Sequence, residues 1–381
     1  MELNRRRFLQ LAGLTAAAAA TRLPAQAQAA KPAAAARYKR IGVEEHFSTP
    51  EQIDLLRAIL EKRYDPPEVV EQEKFILSDA PFLAAPASAP PLRQMFGQLF
   101  DVGAGRVAVM DKYGIDLQVV SLVSPGVQAF DAAATRLARK FNDHLARLIA
   151  EHPQRFAGLT ALAPQAPEAA ADELERGVRE LKFKGGIINS HTKGEYLDEP
   201  KYRPILERAQ KLEVPLYLHP RGPSPRMMPA FAGHPLLGGA TWGFGADTGL
   251  HAMRLISGGV FDRYPRLRIV LGHLGETIPF QLDRIDNRWA VMSRSAGVRT
   301  LAKMPSEYFK QNFVVTTSGM FSHPQLALTL AVLGADKVLF AVDYPMEEPQ
   351  EAVTFLDTAP ISAADREQIY HGNAERVFAL A

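Results

Sequence analysis

The chain contains no cysteine, and this absence excludes whole classes of chemistry. Disulfide frameworks, thiolate metal sites, iron–sulfur clusters and cysteine nucleophiles all require a sulfur that this sequence does not supply. A metal ion bound by this protein must therefore be held by His, Asp or Glu side chains. Such donors favour Zn, Mn or a similar divalent ion.

Several sequence motifs are missing as well. There is no Gly-x-Gly-x-x-Gly turn after the first strand-like run, no Gly-x-Ser-x-Gly elbow and no phosphate-binding Gly-x-x-x-x-Gly-Lys-Ser/Thr loop. No segment has 18 consecutive apolar residues, so we expect no membrane-spanning helix. With 47% hydrophobic and 23% charged residues, the composition is that of a globular protein rather than a disordered or fibrous one.

The first 29 residues have the three-part layout of an export signal. Arg5-Arg6-Arg7 precede an apolar run from Phe8 to Ala20, and the small-residue site Ala27-Gln28-Ala29 follows. The pattern resembles a twin-arginine signal. We therefore expect residues 1–29 to be a signal peptide that the twin-arginine export machinery recognises, and residues 30–381 to form a periplasmic domain. An ordinary secretory signal and a basic, frayed N-terminus are the alternatives.

The charge of the chain is unevenly placed. Four arginines and one glutamate give residues 1–29 a net charge of +3, which leaves −1 for the rest of a chain whose total is +2. A nearly neutral domain gives no support for binding nucleic acid or an anionic membrane surface.

Eight short β-branched or aliphatic runs alternate with longer amphipathic stretches. Each run has the length of a buried parallel strand. Eightfold alternation of this kind indicates an α/β fold of the (β/α)8 TIM barrel type, with an open doubly wound sheet as the alternative. The runs are residues 40–47, 116–125, 156–164, 183–191, 214–220, 268–275, 313–319 and 337–345.

Residues 48–110 are too many for a minimal connection between a strand and its helix. They include a Pro- and Ala-rich patch at 79–92 with helix-like pieces on either side. We expect a long insertion after strand 1 that lies over the C-terminal mouth of the barrel, where insertions shape substrate pockets. A solvent-exposed loop and an oligomer contact are equally good interpretations.

Polar residues stand at the ends of several predicted strands, where a TIM barrel carries its chemistry. Strand 1 ends in Glu44-Glu45-His46, and the strand period of two puts Glu44 and His46 on one face. Such groups are costly to bury unless they are paired or bind a metal. Two histidines and two carboxylates suit one Zn- or Mn-like ion; the four candidate ligands are Glu44, His46, His219 and Asp343. For each residue alone, a satisfied core position is the alternative.

Other candidates are less specific. His273 ends strand 6 beside the candidate ligands, and Glu276 follows three residues later. Arg284, in the next helix, is a candidate for binding an anionic substrate group, or else a surface ion-pair residue. Trp242 is a candidate aromatic wall of the pocket, or else an ordinary packing residue. His191 closes strand 4 and is a candidate lining residue.

These residues resemble the second amidohydrolase family, the group of γ-resorcylate decarboxylase and aminocarboxymuconate-semialdehyde decarboxylase. The match is closest to the γ-resorcylate (2,6-dihydroxybenzoate) branch and runs from about residue 38 to the end. The motifs that carry it include Glu44-Glu45-His46-Phe47, Tyr217-Leu218-His219-Pro220-Arg221, Gly233-His234-Pro235, Leu271-Gly272-His273, Asp343-Tyr344-Pro345 and Gly372-Asn373-Ala374-Glu375-Arg376.

The resemblance implies a mononuclear site without an organic cofactor. It assigns Glu44, His46, His219 and Asp343 as ligands, His273 and Glu276 as a polarising pair, and Asp343 as the proton donor. Binuclear members need a carboxylated lysine at the end of strand 4, where this chain has Asn189-Ser190-His191. The resemblance also suggests a homo-oligomer, either a dimer or a tetramer.

Three functions compete at this point. The first is a metal-dependent, cofactor-free decarboxylase of a hydroxylated aromatic carboxylic acid. The second is a hydrolase of a lactone, ester or amide that uses the same residues, with Asp343 as the base for a metal-bound water. The third is a metal-dependent binding protein, which the presence of both His273 and Glu276 disfavours, since binding alone needs no acid–base relay.

Overall fold

The computed structural model describes residues 37–61, 83, 89–294 and 299–380. The predicted signal peptide, residues 1–29, lies outside the described residues. The part of the chain from Tyr38 onward forms one compact unit.

The strands form a ring of parallel neighbours in sequence order. β3 (Phe156–Gly158) and β4 (Thr160–Ala161) are separated only by Leu159 and together make the third barrel strand. The observed strands are β1 (Ile41–Phe47), β2 (Leu117–Leu122), β3 (Phe156–Gly158), β4 (Thr160–Ala161), β5 (Gly186–Asn189), β6 (Leu216–His219), β7 (Ile269–Leu271), β8 (Phe313–Thr316) and β9 (Val338–Leu339).

The segment that follows β9 closes the ring against β1. The Val43 N–H donates to the Phe340 carbonyl at 3.2 Å, and the His46 N–H donates to the Tyr344 carbonyl at 2.7 Å. Each of the eight predicted runs contains an observed strand. The TIM barrel prediction is therefore confirmed, and the open sheet is excluded.

The helices alternate with the strands, and several begin with proline in the first turn, where the missing backbone N–H has no intrahelical partner to lose. The helices are α1 (Pro50–Glu61), α2 (Pro90–Phe100), α3 (Ala104–Tyr113), α4 (Ala134–Glu151), α5 (Pro167–Arg179), α6 (Arg203–Leu212), α7 (Gly243–Ser257), α8 (Val260–Arg263), α9 (Ile278–Met292), α10 (Pro305–Asn312), α11 (His323–Leu333), α12 (Pro349–Thr358), α13 (Ala363–Glu367) and α14 (Asn373–Phe378). Among the described residues, none of these helices has both the length and the apolar character needed to cross a bilayer.

Described parts of the insertion lie at the C-terminal end of β1. The Ser48 N–H donates to the Leu99 carbonyl at 2.9 Å, at the end of α2. From α3, Arg106 Nη2 donates to the carbonyl of His46 at 2.7 Å. This position is the mouth of the barrel, where we expected the insertion to lie; its residues 62–82 and 84–88 lie outside the described residues.

All seven residues of β1 are buried. A strand of a parallel barrel is covered on both faces, by the barrel interior and by the helices, and so is normally an apolar run. Glu44, Glu45 and His46 break that rule within three consecutive residues, and each therefore requires a partner inside the protein.

Candidate metal centre

The four predicted ligands converge at the C-terminal mouth of the barrel. One donor atom each from Glu44, His46, His219 and Asp343 lies within 4.8 Å of the others. His46 Nε2 is 3.0 Å from Asp343 Oδ1, and His219 Nε2 is 3.5 Å from Glu44 Oε1. Donor atoms that bind one tetrahedral ion at about 2.1 Å stand roughly 3.4 Å apart. The spacing therefore fits a single shared ion.

The two carboxylate oxygens of Glu44 have different hydrogen-bond environments. Oε2 accepts hydrogen bonds from the hydroxyls of Tyr217, Thr316 and Ser318. Oε1 is buried and has no hydrogen-bond partner among the described residues. Burial raises the pKa of Glu44, against the opposing effect of nearby His273. A buried carboxylate oxygen without a donor is costly, and a cation at this point would satisfy it.

The two candidate histidine ligands are held with one ring nitrogen toward the cluster. His219 Nδ1 lies 2.7 Å from the Pro220 carbonyl, which fixes a proton on Nδ1 and leaves Nε2 free to coordinate. Burial, aided by neighbouring His46, lowers the pKa of His219 to about 3. The ring is therefore neutral, as a metal ligand must be. His46 Nδ1 is in turn 3.2 Å from Ser121 Oγ.

His273 and Glu276 lie in a left-handed turn rather than a regular helix. All five residues from His273 to Thr277 have positive φ, and only Gly275 among them is a glycine. Non-glycine residues in this region cost of order 1–3 kcal/mol each and persist mainly at functional sites. The turn brings His273 Nδ1 to 2.8 Å from Glu276 Oε1 and points Nε2 toward Asp343 Oδ2, at 3.9 Å.

His273 and Asp343 form an acid–base pair whose proton favours the imidazole. Burial alone would lower the pKa of His273, but the charges of Glu276 and Glu44 raise it well above its usual value. Burial alone would raise the pKa of Asp343, but its interactions with the nearby His273 and His46 rings lower it. These two directions favour an ionised Asp343 beside a protonated His273.

The remaining candidates stand apart from this cluster. Trp242 is 62% exposed at the start of α7, and Arg284 is exposed on α9. Neither is one of the four clustered donor residues. Contact of these two side chains with a substrate stays a prediction. His191 is fully buried, with Nε2 2.9 Å from the Gly222 carbonyl and Nδ1 accepting the Gly194 N–H. It is a structural residue of the loop. Asn189 ends β5, at the position that would carry a bridging lysine.

Sequence reasoning missed the residues that support the ligands. Tyr217, Thr316 and Ser318 all donate to Glu44, and Ser121 contacts His46. The sequence did contain a signal for three of them. Tyr217 precedes His219 by two residues, and Thr316 precedes Ser318 by two, which places each pair on one face of its predicted strand.

Fold and geometry together define the class: a (β/α)8 barrel with a candidate mononuclear centre of two histidines and two carboxylates at its mouth. The sequence profile of the amidohydrolase family matches residues 91–380. The chain belongs to this amidohydrolase family.

Individual proteins and solved structures are similar to the chain along most of its length. The chain is 38% identical over 354 residues to gamma-resorcylate decarboxylase from Polaromonas sp., covering 90% of this chain and 98% of that one. The crystal structure of 5-carboxyvanillate decarboxylase from Sphingomonas paucimobilis matches with a TM-score of 0.83 and 39% identity, over 91% of this chain and all of that one. Dihydroxybenzoic acid decarboxylase from Polaromonas sp. JS666, with bound manganese and the inhibitor 2-nitroresorcinol, matches with a TM-score of 0.79 and 37% identity, over 90% and 98% of the two chains.

These similarities confirm the expected family and the expected enzyme class, a carboxy-lyase. They favour the decarboxylase over the hydrolase alternative. They also support a divalent metal ion at the centre.

Proposed function

We propose that the protein removes the carboxylate from a benzoic acid that carries a hydroxyl group in the ortho position, with one divalent ion at the centre. The observation that carries this proposal is the four-donor cluster beside the acid–base pair of His273 and Asp343; within it, Glu44 Oε1 accepts no hydrogen bond from the described residues. γ-Resorcylate and 5-carboxyvanillate, named for two relatives, both have a hydroxyl next to the carboxylate that is lost.

Glu44, His46, His219 and Asp343 are the residues that would hold the ion. When bound, the ion would supply positive charge that attracts a negatively charged substrate and polarises its ring. Of the two candidates, we propose manganese before zinc. Half of the donors are carboxylates, which suit manganese, and the Polaromonas sp. JS666 relative carries it.

The acid–base pair supplies the proton that replaces the carboxylate. A negative substrate favours transfer of the proton from His273 Nε2 to Asp343 Oδ2, while Glu276 keeps the His273 ring in place through Nδ1. Asp343 then protonates the ring carbon that bears the carboxylate. The carbon–carbon bond breaks, its electron pair returns to the ring, and CO2 leaves. His273 recovers its proton from solvent.

Incubation with 2,6- and 2,3-dihydroxybenzoate in D2O tests this function. We expect release of CO2 and one deuterium at the former carboxyl carbon. Asp343→Asn retains an amide oxygen for the metal and should keep some of it while losing turnover, whereas Asp283→Asn, an exposed carboxylate on α9, should behave as wild type. If no aromatic acid loses CO2 and a panel of lactones and esters is hydrolysed, the hydrolase alternative takes its place.

We also propose that the chain is exported to the periplasm by the twin-arginine pathway. The Arg5-Arg6 pair and the site Ala27-Gln28-Ala29 support this, although both lie outside the described residues. The pathway exports folded proteins, which suits an enzyme that takes up its metal as it folds.

A further inference from the structure

Glu45 lies between two proposed ligands along β1, yet its side chain contacts a different part of the site. It is completely buried. Its Oε1 accepts the backbone N–H of Val342 and its Oε2 accepts the backbone N–H of Tyr344, both at 3.1 Å. These two residues stand on either side of Asp343, so the carboxyl group of Glu45 straddles that position.

The backbone at Asp343 needs such support. Its φ of 75° is in the left-handed region, which a residue with a side chain adopts only at a cost. Its own N–H donates to the Glu44 carbonyl at 2.9 Å, so three successive N–H groups, those of residues 342–344, end on Glu44 and Glu45. The three groups are paired with three separate oxygens, two from the Glu45 side chain and one from the Glu44 backbone, so no N–H of this buried segment is left without an acceptor.

We propose that Glu45 is a positioning residue for Asp343. Glu45 and Tyr344 form only an isolated parallel bridge, not a regular pair of strands. The Glu45 side chain therefore accepts backbone hydrogen bonds that a neighbouring strand would otherwise accept. It thereby holds the Asp343 carboxylate toward His46 and His273. The inference rests on the proposed metal centre, because it concerns how one of the four donors is held.

Arg106 completes the arrangement from the side of the insertion. Its side chain is 1% exposed, and Nη2 donates to the carbonyls of His46 and Gln98, each at 2.7 Å. Its guanidinium carbon lies 4.9 Å from the ring centre of Tyr344. The guanidinium therefore sets a positive charge near Glu45 and ties α2 to the residues that hold the donors.

Glu45→Gln tests the inference with cobalt(II), whose visible absorption reports the geometry of its ligands. The amide oxygen can accept only one of the two N–H groups, and the amide NH2 faces the other. We expect the affinity of the metal-free protein for cobalt(II) to fall on the order of 10- to 100-fold and the absorption bands to shift. The matched control is Glu173→Gln, which alters a buried carboxylate on α5 and should keep the wild-type affinity and spectrum.

A double-mutant cycle separates positioning from a general loss of stability. If Glu45 acts through Asp343, adding Glu45→Gln to Asp343→Asn should change the cobalt(II) affinity less than about twofold. Losses that multiply in the double variant, or a wild-type affinity and spectrum in Glu45→Gln, would overturn the proposal. If Glu45→Gln does not fold, Glu45→Asp, too short to span both N–H groups, is measured instead, with the same outcome expected and the same result counting against it.

The cobalt(II) measurements need no substrate. A protein that binds the ion through Asp343 but decarboxylates nothing would contradict the proposed function and leave the positioning role standing. A decarboxylase whose cobalt(II) site is unaffected by Glu45→Gln would do the reverse.

Discussion

His219 is not the only buried histidine that is kept neutral: burial also lowers the pKa of His191 and of His251, which lie outside the four-donor cluster. His251, on α7, is fully buried, and its Nε2 accepts the Leu197 N–H at 2.9 Å. Burial, with a smaller effect of Arg254, lowers the pKa of His251 to about 3. It therefore serves as a hydrogen-bond acceptor that the folded protein does not protonate at neutral pH.

This residue makes the stability depend on pH. The folded pKa of about 3 lies below the unfolded value of about 6.5, so between these pH values the unfolded chain holds a proton that the folded protein lacks. Stability present above pH 6.5 is lost as the pH falls through this window. His251→Gln removes this titrating group. Below pH 6.5, the free energy of unfolding of the variant relative to that of the wild type should therefore rise by up to about 1.4 kcal/mol for each pH unit.

Urea unfolding of both metal-free proteins at pH 7.5, 6 and 5 measures this difference. A difference between the two proteins that stays constant across the three pH values would contradict the assignment, since it would mean that His251 titrates alike in the folded and unfolded states.

At the residue scale, the candidate ligands could be predicted from the sequence, but the residues that position them could not. Glu44, His46, His219 and Asp343 could be predicted because charged or polar side chains at the ends of buried runs are costly without a partner or a metal ion. The role of Glu45 could not, because the strand period says only that it faces away from Glu44 and not which backbone groups it meets.

At the element scale, α7 packs closely against the turn that contains His273, and the contact is at Gly245. A Cβ placed on Gly245 would lie 2.8 Å from Glu276 Oε2. Alanine at this helical position gains up to about 1 kcal/mol in helix propensity, but it must displace the Glu276 carboxylate that holds His273. We expect Gly245→Ala to lower kcat on the order of 10-fold with little change in the melting temperature.

Gly97→Ala on α2 is the matched control, because nothing lies within 4 Å of the added methyl group. It should raise the melting temperature slightly and leave kcat unchanged. Equal kcat values in the two variants would mean that Glu276 adapts to the methyl group without moving His273.

The boundaries of elements were harder to predict than their existence. The predicted run 268–275 contains β7, Ile269–Leu271, but it also takes in the start of the left-handed turn. An apolar pattern reports burial, which the strand and the turn share, and it contains no information on the sign of φ. The closure of the barrel through residues 340–344 was likewise visible only as an eighth strand-like run.

At the scale of the whole molecule, the fold could be predicted because eight runs and their connecting helices all point to one architecture. The predicted dimer or tetramer stays a prediction. Large apolar side chains are exposed at Leu236, Phe280 and Met292, and burial against another copy would remove them from water.

The proposed export would depend on residues 1–29, which lie outside the described residues. A twin-arginine signal is read through its arginine pair, so changing Arg5 and Arg6 together to lysine preserves the charge and the apolar run but removes the recognised feature. We expect this double variant to accumulate as uncleaved precursor in the cytoplasm, whereas wild-type protein is recovered from the periplasm with its N-terminus near residue 28 or 30. Arg22→Lys, outside the pair, is the control and should be exported normally. Fractionation with N-terminal sequencing measures both, and normal export of the double variant would point to an ordinary secretory signal instead.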